Sequence, residues 1–557
     1  MNKWEIAKVL DEISKYVELS EPNRFKALAF EKASRAISAL DREPADMLAS
    51  GELQKTPGIG KTTASVVEEL ARTGRSRYLE ELRKEYPPGI FELLRVPQLG
   101  LKKIGMLHDK LGISNLDQLE EACRAGRLRT LRGFGEKTEQ KILQGIAAAR
   151  KRQSQFLLPI GVEVGEQLRE RLAGIDAIEN AEVSGSVRRR LEVIRNINIV
   201  IATRDPEGVK RNLEKIVASL ESVDPSTAKG VGRNEIEVFF HFAKPQEFGS
   251  ILLRTTGSSE FVNALLERAG NRSAKTEEEI FERAGAPYVP PERRESADDL
   301  RRKRARPLVK LDDLRGTFHV HTTFSDGRNT VLEMLTTAQK RGYQYVGMSD
   351  HSKSAYYAGG LSEEGVRQQQ AEIAKHETAV KPMRVFRGTE ADILADGGID
   401  YPTETLETFD FVIASIHSRF GMTKEEMTER ILRALDNPFV TFLGHLTGRK
   451  LLARDGYTMD FDRVFEKAGE RGVIIEINGN PNRLDIDWRL VGRALDRGVR
   501  FSINPDAHSI QEYNALISGT WAARKGGLSP KEIFNTKTVD EVAEYLKGRR
   551  AAATATK

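Results

Sequence analysis

The 557-residue sequence has a single cysteine, Cys123. One thiol excludes an intramolecular disulfide and a cysteine-based zinc finger, and it fits a reducing cytoplasm. No apolar run approaches the ~18 residues a membrane-spanning helix needs, so no membrane partner is expected. The first residues, Met1-Asn2-Lys3-Trp4-Glu5, lack the basic-then-apolar layout of a secretory leader. A strong excess of one charge is missing too: 87 Lys and Arg stand against 82 Asp and Glu, a net charge of +5. Contact with nucleic acid must then use local patches and not a global field. With 39% apolar and 30% charged residues, the composition describes a soluble globular chain, long enough for roughly three or four domains.

Histidine is scarce as well, nine in all, but its placement is ordered. His319 and His321 stand two apart, a spacing that puts both imidazoles on one face of a strand, with Asp326 five residues on. Ser349-Asp350-His351, Gly388-Thr389-Glu390, Ser415-Ile416-His417, Gly444-His445 and Asp506-Ala507-His508 follow, nearly all closing a short apolar run. A further run, Gly472 to Asn478, ends in polar Asn478. Helical patterns separate the runs. Alternating strands and helices point to a closed parallel barrel with its chemistry at the carboxyl ends of the strands. Six of the nine histidines sit at those ends; His108, His241 and His376 do not. Imidazoles and carboxylates converging on one mouth predict a metal site.

Residues 1–80 read as helices: Trp4 to Leu10 and Ile13 recur at helical spacing, and Phe25, Leu28, Ala29, Ala33, Ile37 and Leu40 continue the pattern. Thr56-Pro57-Gly58-Ile59-Gly60-Lys61 suggests a phosphate-binding P-loop, but Lys55 stands where the first glycine belongs. A helix-hairpin-helix fits better, a glycine turn feeding a helix whose amides face a DNA phosphate. Gly100 and Lys102, after Gln98 in place of the first glycine, form a second copy; Gly133, Gly135 and Lys137 form a third. Three copies predict a sequence-independent grip on the DNA backbone. Residues 155–290 look mixed α/β, with strands at Ile194–Ile201 and Glu235–Phe240 and a tight turn at Arg254–Ser258. A basic connector, Arg301-Arg302-Lys303-Arg304 with Arg306, precedes the barrel, and Ala551–Lys557 reads as a frayed tail.

The chain resembles a bacterial family X DNA polymerase with a C-terminal polymerase-and-histidinol-phosphatase (PHP) domain. The resemblance rests on the order of helical region, hairpins, Gly185-Ser186 with Arg188-Arg189, Pro290-Pro291-Glu292-Arg293-Arg294-Glu295, and the histidine-bearing barrel. It implies a multidomain α+β chain. Residues 1–85 and 86–154 would be helical with hairpins, 155–292 a nucleotidyltransferase-type palm and thumb-like region, and 293–314 a basic linker. Residues 315–550 would be a distorted (β/α)7 PHP barrel, and 551–557 the tail. It also implies nine ligands, His319, His321, Asp326, His351, Glu390, His417, His445, Asp506 and His508. The family holds up to three divalent ions there, typically manganese, with zinc or iron as alternatives, and removes nucleotides from DNA 3′ ends. His319, His321, Glu390 and Asp506 would hold one ion and the rest share the others, with Glu390 a natural bridge. Leu446 departs from the pattern, where proline usually follows the histidine.

The polymerase half departs further. Arg190 and Arg195 replace family glycines, Asn196 and Asn198 stand where two catalytic aspartates belong, and Glu237 aligns with the third. The family turn Tyr-Phe-Thr-Gly-Ser begins here with Arg254-Thr255, the asparagine after it aligns with Val262, and the lyase lysine aligns with Val66. Two amides cannot supply the charge that two dications need. Residues Gly185, Ser186, Arg189, Asn196, Asn198 and Glu237 are therefore expected to form a degenerate polymerase site. The expected function is a metal-dependent 3′–5′ exonuclease of DNA repair type, acting on gapped or 3′-ended DNA. His319, His321, Glu390 and Asp506 would be catalytic, and Arg449 would clamp a phosphate. Alternatives are an active gap-filling polymerase with exonuclease, a small phosphate monoesterase, and a non-catalytic DNA end-binding protein.

Overall fold

The computed structural model describes residues 1, 3–20, 24–38, 40, 42–56, 58–96, 99–232, 235–301 and 307–555. The chain forms two compact units, Met1–Ser154 and Gln155–Lys557.

The first unit is helical. Helices Lys3–Ser20 and Arg24–Ser38 pack through Ile6, Leu10, Ile13 and Val17 on one side and Ala27, Phe30, Ala33 and Ile37 on the other. The buried stripe of the second helix is therefore rotated from the one the sequence suggests. Phe25 is 85% exposed, and Phe30 takes the inward position, stacking on Tyr78 at 5.7 Å. Each hairpin turn leads into a helix as its glycines predict. Gly60 caps Lys61–Thr73, Gly100 caps Leu101–Leu111, and Gly135 precedes Glu136–Gln153. Gly58 and Gly133 have φ of 91° and 92°, a left-handed backbone that favours glycine. The residue between or before the glycines, Ile59, Leu99 or Phe134, is buried and pins the turn to the core. Lys61, Lys102 and Lys137 stay exposed. Gln98 and residues 302–306 of the basic connector lie outside the described residues.

The second unit opens with a five-stranded mixed sheet, ordered Ile178–Ser184, Asn196–Thr203, Glu237–Ala243, Thr227–Val231, Leu220–Asp224. The strand expected from Glu235 begins at Glu237, because Glu235, at φ 60°, turns the chain first. Arg254–Thr256 is not part of a turn but the end of helix Phe248–Thr256; the Ser258 side chain then caps the next helix. Glu277 anchors this region. Arg188 and Arg294 both grip its carboxylate bidentately at 2.5–3.1 Å, with Arg294 fully buried. Burial alone would raise the Glu277 pKa, but the two guanidinium groups outweigh it and hold it at about 2. A depressed carboxyl pKa adds stability above its ordinary value near 4.5, lost as pH falls toward about 2. That contribution is about 3 kcal/mol at neutral pH. Urea unfolding of the Glu277→Gln variant should therefore show a loss of that order at pH 7. Between pH 4.5 and 2 its stability should fall less steeply than that of the parent.

The rest of the unit is a parallel barrel. Strands Gly316–Val320, Tyr345–Met348, Arg384–Asp392, Phe411–Ser415, Val440–Leu443, Ile474–Asn478 and Phe501–Asn504 pair in sequence order. The gap between first and last is nearly closed by Ala507, whose N–H donates to the His319 carbonyl at 3.1 Å and whose carbonyl accepts from His321 at 2.8 Å. Phe318, Phe386, Phe411 and Phe442 fill one end, with Phe318 ring centroids 4.9 Å from Phe442 and 5.1 Å from Phe411. Gly347 and Gly388 make room for those rings, since a Cβ at either would meet one within 2.4 Å. The final helix, Val539–Ala555, corrects the frayed-tail expectation through Ala555: Ala553 is buried. No helix among the described residues is long and apolar enough to cross a membrane.

Candidate metal centre

Strand alternation carries side chains from the aromatic end of the barrel to its mouth. Starting at Tyr345, every second residue leads to His351; starting at Phe386, to Glu390; starting at Phe411, to His417. Three other ligands sit on left-handed backbone. His319, His445 and Asp506 have φ of 64°, 24° and 54°. Such left-handed backbone is costly for a non-glycine residue and gathers at functional sites. At His319 it coincides with a register shift between Thr317 and Val320. Phe318 and His319 can then both face the interior.

The nine expected ligands come together. Their donor atoms form four overlapping groups, each with all atoms within 4.8 Å: His321, Asp326, His351 and His508; His319, Glu390 and His445; His319, His321 and Asp506; His351, Glu390 and His417. Glu390 belongs to two groups, but His445 joins His319 and Glu390, not the set assigned to the other ions from resemblance. His319 Nε2 lies 3.3 Å from Glu390 Oε1 and 3.4 Å from Asp506 Oδ1. Several buried ligand atoms have no hydrogen-bond partner: His319 Nε2, both nitrogens of His321, His351 Nδ1, His445 Nδ1 and Glu390 Oε2. His351 Nδ1 is 3.0 Å from that Glu390 oxygen, but without hydrogen-bond geometry. Orphaned polar atoms are expensive in a protein interior. A mixed imidazole and carboxylate set facing inward satisfies that debt with divalent cations.

The imidazoles and carboxylates of the cage also shift one another's titration. Burial would raise Glu390, but His319, His417 and His351 hold it well below the carboxylate range, and His319 does most of the same for Asp506. Burial lowers His319, yet Glu476, Glu390 and Asp506 outweigh it and push it well above normal. His417 and His508 rise to about 9 against burial through Glu390 and Asp326 respectively, while burial pushes His321 down to about 4.

Carboxylates outside the ligand set orient it. Glu476, fully buried, accepts from His319 Nδ1 at 2.5 Å, the His445 amide at 2.7 Å, Asn504 at 3.0 Å and Asn478 at 3.2 Å. Asp392 accepts from His417 Nδ1 at 2.5 Å. Both bonds leave Nε2 facing the cage, the arrangement in which a carboxylate fixes the tautomer of a metal-binding imidazole. Asp350, next to His351, is a loop anchor: it accepts from Thr322 and Ser325 and holds the turn that presents Asp326. Glu476 and Asp392 were missed as site residues. The available signal was a carboxylate inside an otherwise apolar strand, Ile474-Ile475-Glu476-Ile477.

The cage opens into a cavity of about 560 Å³ lined by Asp326, His351, Glu390, His417, His445 and Asp506 together with Tyr357, Phe420, Lys450, Arg454 and Arg483. Arg449 does not line it. Its guanidinium is bound to Asp487 at 2.5 Å and to the carbonyls of Arg483 and Leu484, so it braces the loop behind the site. Arg483 takes the inward place, its Nε 3.6 Å from Asp506.

Comparison with known proteins accounts for this architecture. Residues 317–480 match the PHP domain; Asp506 and His508 lie beyond that stretch. Residues 1–76 match a helix-hairpin-helix domain and 90–148 a SAM-like helix-hairpin-helix tandem. The DNA polymerase/3'-5' exonuclease PolX of Bacillus subtilis is 34% identical over 571 residues, covering 98% of this chain and 100% of that protein. The chain belongs to the PolX family. Probable phosphatases of Caldanaerobacter subterraneus and Acetivibrio thermocellus are 28% and 31% identical over 42% of the chain, and the matches cover 91% and 95% of those proteins.

Within that PolX framework the five-stranded mixed sheet differs from the barrel. Asn198 donates to Asn196 Oδ1 at 2.9 Å and accepts from His241 Nε2 at 2.9 Å, so the amides satisfy one another. Glu237, opposite Asn196, is half exposed and paired with Lys229 at 2.5 Å. Among the described residues, every group of three or more potential metal ligands lies in the barrel. The arginines after Gly185-Ser186 are occupied. Arg189 binds Glu295 at 2.9 Å and the Thr256 carbonyl at 2.5 Å; Arg190, at φ 56°, stacks on Trp521 at 4.6 Å. Lys525, buried, donates to the Arg189 carbonyl at 3.0 Å and to Glu295 at 2.6 Å, joining the mixed-sheet region to the barrel.

Proposed function

We propose that this PolX-family chain is a metal-dependent phosphodiesterase acting on DNA 3′ ends through its PHP barrel, and that its palm does not polymerise. The observation that carries the reading is the four overlapping ligand groups with their orphaned donors. Divalent ions held there, manganese being our choice, supply charge that polarises a phosphoryl oxygen and stabilises the negative charge that gathers on it. The chain's own residues do the rest. Glu476 and Asp392 keep His319 and His417 in the ligating tautomer. Arg483, on the cavity wall beside Asp506, holds the phosphate in place with charge-assisted bonds. The hairpins at Gly58–Lys61, Gly100–Lys102 and Gly133–Lys137 grip the DNA backbone through helix N-terminal amides and lysines, without reading sequence. In the palm, Asn196, Asn198 and Glu237 together carry one negative charge where paired magnesium ions need more.

A gapped-primer assay with Mn²⁺ and all four deoxynucleoside triphosphates tests both halves in one lane. The labelled primer should shorten and gain no nucleotide. Extension would overturn the reading of the palm, and an unchanged primer that of the barrel. p-Nitrophenyl phosphate in parallel should be a poor substrate; its preferred hydrolysis would make the barrel a monoesterase.

A further inference from the structure

Two tyrosines at the mouth of the cage have no structural task. Tyr356 is 86% exposed and Tyr357 61%. Single exposed apolar residues are common and need no explanation. Here two neighbouring aromatic rings point outward from a segment that is otherwise tied down. Ala355 and Ala358, on either side, are buried. Leu361 N donates to the His351 carbonyl at 2.8 Å, Gly360 N to Ala355 at 3.1 Å, and Ser354 N to Asp400 at 2.7 Å. Gly359 takes φ 68°, and a Cβ on Gly360 would strike the Ser352 carbonyl at 1.9 Å. A Ser-Ala-Tyr-Tyr-Ala-Gly-Gly turn thus fixes the backbone that displays both rings.

Their position names the occupant. The Tyr357 ring lies 6.4 Å from the ligand His417 and lines the cage cavity, and the Tyr356 ring lies 6.1 Å beyond it, edge-on. The same cavity is lined by Lys450, Arg454 and Arg483, with Arg454 stacked over Phe420 at 4.0 Å. Cations for a phosphate backbone beside aromatic faces for bases are the two parts of a single-strand nucleic-acid site. We infer that Tyr356 and Tyr357 form a stacking platform for the terminal base of the strand whose phosphate enters the cage. This inference rests on the phosphodiesterase reading above. It adds a substrate requirement: a base on the terminal nucleotide.

Two single-stranded oligonucleotides test it, identical except that the 3′-terminal nucleotide carries a base in one and a tetrahydrofuran abasic unit in the other. The chain should show a KM about 10- to 100-fold lower for the intact end, the worth of one base stacked on an aromatic ring. The Tyr356→Ala/Tyr357→Ala variant should lose that preference, and the Tyr356→Phe/Tyr357→Phe variant should keep it. Equal treatment of the two ends by the parent, a preference surviving in the alanine variant, or its loss in the phenylalanine variant would each overturn the platform. Hydrolysis of neither end by the parent would instead defeat the phosphodiesterase reading. Anisotropy binding of the same oligonucleotides in EDTA then still gives the platform its own readout, with the same base-dependent difference expected.

Discussion

Replacing His319 and His321 together with alanine should lower release of nucleotides from a 3′-labelled oligonucleotide by at least ~10⁴-fold, the scale on which removing a catalytic unit acts. The size of the loss follows from how the groups share members. His319 and His321 between them enter three of the four, leaving only His351, Glu390 and His417 complete. Elemental analysis of the variant should show metal content falling with activity. Loss of His319 also strips a buried partner from Glu476, so a failure of folding must be separated from a failure of ligation. The single His321→Ala variant does this. Neither nitrogen of His321 has a hydrogen-bond partner, so removing the ring takes one ligand from each of two groups without breaking a hydrogen bond of another side chain. Activity should still fall by at least ~10²-fold while circular dichroism and the urea midpoint stay close to the parent. Full activity in the double variant would end the metal-cage mechanism.

The cage was legible because its ligands end strands. A polar residue closing an apolar run is visible in one dimension, and the strand order turns that list into a ring. The bulge and left-handed backbone at His319 were not legible, because alternation in the sequence cannot tell which residue absorbs a register shift. Loops were read less well than strands. Arg449 and Arg483 both sit in polar connections, and only packing decides that the first turns back onto Asp487 while the second faces Asp506. The rotated stripe of Arg24–Ser38 has a similar cause. Phe25 and Phe30 both fit a helical period, and the choice between them is made by the opposing helix and Tyr78. In the mixed sheet, the Ile-Asn-Ile-Asn-Ile alternation predicts the strand well, since Ile197 and Ile199 are buried and the asparagines share the other face. What the amides do there, bonding to each other and to His241, depends on a strand some 40 residues away.

Glu476 offers the second large effect. Changing it to glutamine keeps its shape but should raise the Mn²⁺ concentration for half-maximal activity by about 10- to 100-fold, the usual range for a group that orients a ligand. Four donors point at this one carboxylate: His319 Nδ1 and Asn504 at one oxygen, the His445 amide and Asn478 at the other. A carboxylate accepts from all of them; an amide has only one acceptor oxygen. Whichever way the glutamine turns, its NH₂ meets two donors, so either His319 or the His445 backbone loses its anchor. The negative charge that makes the His319 imidazole a stronger base is lost as well. Saturating Mn²⁺ should restore most of kcat, because the ligands themselves remain. Alanine at the same place removes the acceptor entirely and leaves buried donors unmatched, at a cost of about 3–5 kcal/mol in unfolding free energy. A manganese titration of the glutamine variant that superimposes on the parent curve would show that the barrel mouth holds its histidines without help from below.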